Sequence, residues 1–317
     1  MGVARRDAHD TQVVAHLLAE LTPEARRGWD DTESRTPGPV SSNLHERLHR
    51  RLGAVSRALR STKPGMPIHA ACCSLPDGRG VLIAGPTGTG KSTLAVVLGL
   101  RSGATLVSDD TIWLSDHRAT SLGAPVAVRE GSPCWESARE LWYAEEGARI
   151  LVRPVDLGMP PIRTSARVDL LLFPRFEPGS SDLRAITPAE AFCHLAGSLL
   201  RSCTADEVDA LAELAVRLPA AVARYADVDS SVDVCTRFFA TAVEPAPVRP
   251  RRLDEAEVRR AGLCRDVQAM RFGGEVAMWR PPAPQVLWVS NWSEGTLWET
   301  PAAETLAANG FLERKES

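Results

Sequence analysis

Gly85-Pro86-Thr87-Gly88-Thr89-Gly90-Lys91-Ser92 is the stretch that decides the fold. It fits GxxxxGK[ST], the Walker A phosphate-binding loop, at every required position. Its flanks fit as well. Gly80-Val81-Leu82-Ile83-Ala84 reads as a short buried strand. Lys91 to Arg101 reads as a helix with Leu94, Val97 and Leu98 on one face and Gly103 as its stop signal. A strand, a glycine-rich turn and a helix N-terminus together cradle a polyphosphate. The glycines let backbone N–H groups approach the anion, and the helix dipole favours negative charge. Gly85, Pro86, Thr87, Gly88, Thr89, Gly90, Lys91, Ser92 and Thr93 are therefore the expected nucleotide-binding residues. Lys91 reaches the outer phosphates, and the Ser92 hydroxyl is placed to ligate Mg²⁺.

Lysine usage argues the same way. The chain has 37 Lys plus Arg, yet its only lysines are Lys63, Lys91 and Lys315. Wherever a positive charge suffices, this sequence uses arginine. Lys91 is the only lysine between positions 64 and 314, and it stands where a compact ammonium is needed rather than a planar guanidinium.

The bulk numbers bound the class. The 317 residues hold one large domain or two modest ones. Hydrophobic content of 44% and charged content of 24% suit a globular protein. A net charge of −3 gives no reason to expect a nucleic-acid or membrane partner. Arg5, Arg6 and Asp7 stand where a secretory signal needs an apolar core, so the expected location is cytoplasmic. Seven cysteines, an odd number without a CxxC pair, suggest neither a disulfide framework nor a zinc site.

Composition divides the chain into three. Residues 1–62 read as an N-terminal helical segment, partly disordered, with helices expected at 11–20 and 43–61. Residues 63–244 carry the phosphate-loop domain. Its strands are expected at 67–74, 80–84, 104–108, 111–114 and 167–173. A helix is expected at 132–146. Thr187-Pro188-Ala189-Glu190 and Thr204-Ala205-Asp206-Glu207 are capping-box signals, starting helices to about 200 and about 224. Pro245, Pro247 and Pro250 mark a boundary, after which residues 245–317 hold four of the eight tryptophans. This Trp-rich segment reads either as a small appended module or as the last strands of the main domain, with two strands around a Pro-rich turn in 273–292.

A phosphate loop says nucleotide, not what is done with it. Phosphoryl transfer also needs Mg²⁺ and a group that orients or deprotonates the acceptor. Asp109-Asp110 ends the strand that follows the loop helix. If that strand lies beside the loop strand, both carboxylates arrive near the γ-phosphate. No NKxD or LSGGQ-like stretch is present, which argues against a GTPase and a transporter ATPase.

With these residues in view, the chain resembles the catalytic domain of HPr kinase/phosphorylase and its kinase-like relatives. The likeness rests on His69-Ala70-Ala71, a turn, Gly80 to Gly85, the loop, and Leu106-Val107-Ser108-Asp109-Asp110. It is specific over about residues 66–131 and loose to about 225. It implies an α/β P-loop kinase fold of the HPr kinase / phosphoenolpyruvate carboxykinase type, a mixed sheet flanked by helices. It also implies roles. Asp109 would accept the proton of the acceptor hydroxyl. Asp110 and His69 would sit beside it and tune its charge, with Asp110 also near the metal. Glu130 stands where the family has a metal-binding Glu, and Arg149 or Arg153 would stabilise the transferring phosphoryl group. The family's loop continues Lys-Ser-Glu, whereas this chain has Lys91-Ser92-Thr93. The glycine-rich segment of the bifunctional enzymes is not recognisable. The resemblance therefore favours a kinase over phosphorolysis, with ATP and Mg²⁺ as cofactors. The acceptor implied is a Ser or Thr hydroxyl of a peptide or protein, such as a natural-product precursor. The alternatives are a small-alcohol kinase and a non-catalytic ATP-sensing module. A homo-oligomer also fits the family.

Overall fold

β1 (Met66–Ser74) is buried along nearly its whole length, and its period of two divides the core. Met66, Ile68, Ala70 and Cys72 enter one apolar cluster, while Ala71 and Cys73 enter another on the opposite face. A strand covered on both faces belongs inside a layered α/β structure. The computed structural model describes residues 64–122, 125–141, 149–199, 204–280, 286–290, 292, 296–297 and 300–312. The helices expected at 11–20 and 43–61, and the segment 1–62 as a whole, lie outside them.

β1 forms an antiparallel hairpin with β2 (Gly80–Ala84). The glycine-rich loop follows, and then α1 (Lys91–Ser102), which ends at Gly103 in the left-handed conformation with φ 66°. β3 (Thr105–Ser108) and β4 (Thr111–Ser115) then share one edge of β1. β3 pairs with Cys72–Ser74, and β4 pairs with Met66–His69. Asp109 and Asp110 occupy the bend between these two pairings. β5 (Arg118–Ser121) pairs with β4, and β6 (Val126–Arg129) stands apart. The helix expected at 132–146 is α2 (Trp135–Leu141), with 142–148 outside the described residues. β7 (Arg149–Val152) pairs with β6.

The apolar run expected at 167–173 is divided between β8 (Ser165–Arg167), which pairs with β5, and β9 (Leu170–Phe176), which runs parallel to β2. β10 (Ser181–Ala185) follows. α3 (Pro188–Ala196) begins at Thr187, whose hydroxyl accepts from the Glu190 amide at 3.3 Å. Glu190 does not close the capping box. Its carboxylate is held by Arg184 of β10 at 2.5 and 2.8 Å. α4 (Ala205–Arg217) has the full box, with Glu207 and Thr204 each bonding the other's amide.

The helix expected to reach 224 stops at Arg217. Pro219 disfavours helical geometry at Leu218, which adopts φ −108°, ψ 139°. β11 (Ala220–Tyr225) follows between β9 and β10, and α5 (Val228–Thr241) is capped by Asp227. The mixed nine-stranded sheet runs β10-β11-β9-β2-β1-β4-β5-β8, with β3 on β1. α1 and α5 cover one face, and α3 and α4 the other.

The C-terminal segment forms a second sheet. β12 (Pro250–Arg252) precedes α6 (Glu255–Arg260), β13 (Gln268–Phe272), β14 (Glu275–Trp279), β15 (Val286–Val289) and α7 (Ala303–Ala308). These four strands pair in the order β12-β13-β14-β15, and none joins the larger sheet. One face has its own core, including Leu263, Val276, Met278 and Phe311. The other face docks on α3. The Phe192 ring lies 5.4 Å from Phe272 and 5.5 Å from Trp279, both tilted. Among the described residues, no helix is long and apolar enough to cross a membrane, and six cysteines are unpaired.

Candidate active site

The loop expected from the sequence takes a conformation that only its glycines permit. Gly85, Gly88 and Gly90 all have positive φ, at 148°, 90° and 94°. Gly90 is doubly constrained. It starts α1 in the left-handed region, and a Cβ there would run into the Tyr225 hydroxyl. Thr89 Oγ1 donates to Pro86 O at 2.9 Å and closes the turn. The Lys91 ammonium lies within the loop, donating to Gly85 O at 2.8 Å and Pro86 O at 3.0 Å. Burial lowers its pKa, Arg129 adds to this, and Asp110 and Asp109 oppose it.

The acidic pair arrives by a different route from the one considered above. β3 does not lie beside the loop strand, because β1 stands between β2 and β3. The bend between β3 and β4 nevertheless brings Asp109 and Asp110 to the N-terminus of α1. Ser92 Oγ donates to the Asp109 carbonyl at 3.1 Å.

The two carboxylates then differ sharply. Asp109 is 1% exposed. Its Oδ2 accepts from the Ala127 amide at 3.3 Å, while its buried Oδ1 has no hydrogen-bond partner. Burial, and then the charge of Asp110, push the Asp109 carboxyl up to about 7. Asp110 faces the cleft. Its Oδ1 lies 3.2 Å from His69 Nδ1, and its Oδ2 accepts from Thr111 Oγ1 at 3.0 Å.

One cleft of about 520 Å³ joins these parts. His69, Lys91, Ser92, Asp110, Arg129 and Glu130 all line it. They come from β1, α1, the β3–β4 bend and the end of β6. Thr87, Gly88, Gly90 and Thr93 line it too, whereas Asp109 lies just behind the wall.

Of the two expected arginines, Arg153 can be placed by its side chain. Arg153 is gripped by Asp156 through two bonds of 2.7 Å and does not line the cleft. Arg149 is the β7 partner of Arg129 in the β6–β7 register. Arg129 lines the cleft near Lys91, and the sequence reading named Arg149 and Arg153 for that charge instead. The sequence reading also missed Ser198. It is 2% exposed, accepts from the Gly85 amide through Oγ at 3.1 Å, and accepts from the His69 amide through its carbonyl at 2.8 Å. A lone serine beyond a helix end carries no motif.

Among the described residues, no group of three His, Cys, Asp or Glu side chains is close enough to cage a metal. Ser92, Asp110 and Glu130 instead offer oxygen donors to one cleft, and Asp109 keeps a buried carboxylate oxygen unpartnered beside them. That set fits Mg²⁺, which takes one or two carboxylates and completes its shell with phosphate oxygens and water.

No protein-family model matches this chain, and no curated protein matches it. Among solved structures, the chain is similar to the HPr(Ser) kinase/phosphatase from Coxiella burnetii, at 15% identity with a TM-score of 0.30. The match covers 55% of this chain and 97% of that one.

Proposed function

We infer that this protein is an ATP- and Mg²⁺-dependent kinase that phosphorylates a Ser or Thr hydroxyl of a peptide or protein. One observation carries the reading. A glycine-rich loop with a single buried lysine opens on the same cleft as the His69–Asp110 pair, with Asp109 directly behind. A phosphate cradle alone serves many purposes. A cradle facing carboxylates suits transfer to a hydroxyl, which must lose its proton as the bond to phosphorus forms.

The roles follow from position. The loop amides and Lys91 hold the phosphates. Ser92, Asp110 and Glu130 would hold Mg²⁺, which would supply neutralisation of the phosphate charge. Asp109 accepts the proton of the acceptor hydroxyl, which requires the wall over its buried, unpartnered Oδ1 to shift as the acceptor binds. The acceptor oxygen bonds to the γ-phosphorus, the bond to the β,γ-bridging oxygen breaks, and ADP leaves. Arg129, on the cleft wall near Lys91, stabilises the charge of the transferring group.

The experiment is intact-mass analysis of Ser- and Thr-containing peptides, alongside small alcohols, incubated with the protein, ATP and Mg²⁺. The expected result is a gain of one phosphoryl group (~80 Da) on a peptide hydroxyl, absent with Lys91→Ala. Phosphorylation of a small alcohol alone would refute the peptide acceptor. Nucleotide binding without acceptor-dependent ADP release would refute the kinase.

A further inference from the structure

The sheet order gives the two flanks of the glycine-rich loop opposite chemistry. On the β1 side stand His69 and Asp110, and both are polar and ionisable. On the other side β9 and β11 run parallel to β2, so all three strands present their C-terminal ends together. Ligands of open α/β sheets bind at this end. β9 ends in Phe176 and β11 ends in Tyr225, and both line the cleft.

Phe176 and Tyr225 form an aromatic pair beside the loop. The two rings meet edge to face, with centroids 6.2 Å apart and planes at 65°. The Tyr225 hydroxyl reaches the Thr89 carbonyl at 3.5 Å, which ties the pair to the loop. Tyr225 is buried, whereas Phe176 is 57% exposed and lies at the cleft. Exposed large hydrophobic side chains are few among the described residues, and Phe176 is the one in this cleft. A ring exposed beside a polyphosphate cradle, braced from one side by a second ring, offers a stacking surface.

We propose that the β9–β11 flank is the nucleobase subsite, with the base stacked on Phe176 and the γ-phosphate directed toward Asp110 on the opposite flank. This rests on the nucleotide reading above and adds the direction in which the nucleotide lies. It makes Phe176 the residue that separates a nucleoside triphosphate from a bare polyphosphate. Stacking selects for a π-face rather than for a hydrogen-bond pattern, so the subsite takes a nucleobase without demanding one base.

Calorimetric titration of the full chain with ATP, and separately with inorganic tripolyphosphate, both with Mg²⁺, tests this. Phe176→Ala is expected to weaken ATP about tenfold, in the range found for base–aromatic stacking, and to leave tripolyphosphate unchanged. Phe176→Trp is expected to restore ATP affinity. An equal loss for both ligands would overturn the proposal, because Phe176 would then support the loop rather than the base. Unchanged ATP affinity in Phe176→Ala would overturn it too, placing the base elsewhere in the cleft and leaving the nucleotide reading intact. A wild-type protein that binds neither ligand would refute the nucleotide reading itself, and this subsite with it.

Discussion

Ser198 accepts the amide proton of Gly85 at 3.1 Å, fixing the first glycine of the phosphate loop from outside the loop. Its hydroxyl donates in turn to the His194 carbonyl at 2.9 Å, inside α3. Its own carbonyl takes the His69 amide, so one buried residue sets the loop and the His69 strand relative to each other. Removing the hydroxyl leaves the buried Gly85 amide without its partner, at about 1–3 kcal/mol. Ser198→Ala is therefore expected to weaken ATP roughly tenfold. Thr187→Ala, at the other end of α3, removes a helix cap of similar worth, about 1 kcal/mol, without touching the loop. Binding and melting measurements on both variants separate the cases. If the two lose stability alike and neither loses affinity, Ser198 serves the helix alone.

Gly90 sits at φ 94° against the Tyr225 hydroxyl. Gly90→Ala meets both left-handed strain of about 1–2 kcal/mol and a steric conflict. ATP binding is expected to be lost while the fold persists, as circular dichroism and titration would show. In the double variant Gly90→Ala/Tyr225→Phe the hydroxyl conflict is removed and only the backbone strain remains, so part of the affinity should return. No recovery would mean that backbone strain alone is decisive.

Asp109 makes folding depend on pH in an unusual direction for a carboxylate. Burial and the Asp110 charge disfavour ionisation and raise its folded pKa from the ordinary 3.8 to about 7. Between roughly pH 4 and 7 the folded state holds a proton that the unfolded state has lost. The stabilisation is fully present below the unfolded pKa and disappears as pH rises through the folded one. Asp109→Asn removes this dependence. Its melting temperature relative to wild type is expected to climb by several degrees from pH 4.5 to pH 8, measured in EDTA. A constant difference across that range would contradict the buried-carboxylate account.

Glu190 has the opposite sign. Burial raises its pKa, but the Arg184 hydrogen bonds outweigh that and lower it overall. The ion pair's contribution is thus present above the unfolded pKa of a glutamate and lost as pH falls through the folded one. Glu190→Gln is expected to destabilise α3 at pH 7 and to matter less near pH 3. A loss of equal size at both pH values would assign the effect to packing.

The parts of this site legible in the sequence were those with a local signature. The loop, its strand and its helix are contiguous, and each obeys its own period, so β2 and α1 fall where the pattern places them. Thr187 and Thr204 act as caps because capping is settled within four residues. Tertiary context was the limit. β11 is an alanine-rich strand with no strong strand preference of its own, made by its place between β9 and β10. Glu190 left its capping box for Arg184, a partner that the local motif does not contain. The burial of Asp109 and the exposure of Asp110 follow from a bend between two pairings on one strand. Two adjacent aspartates look alike until that register is known.

The most direct test of the central claim is phosphoryl transfer by Asp109→Asn, measured beside its ATP affinity. The account predicts near-normal affinity, because Asp109 lies behind the cleft wall, with transfer reduced at least a hundredfold, the low end expected for loss of a general base. Transfer at the wild-type rate would contradict it and remove Asp109 from the chemistry.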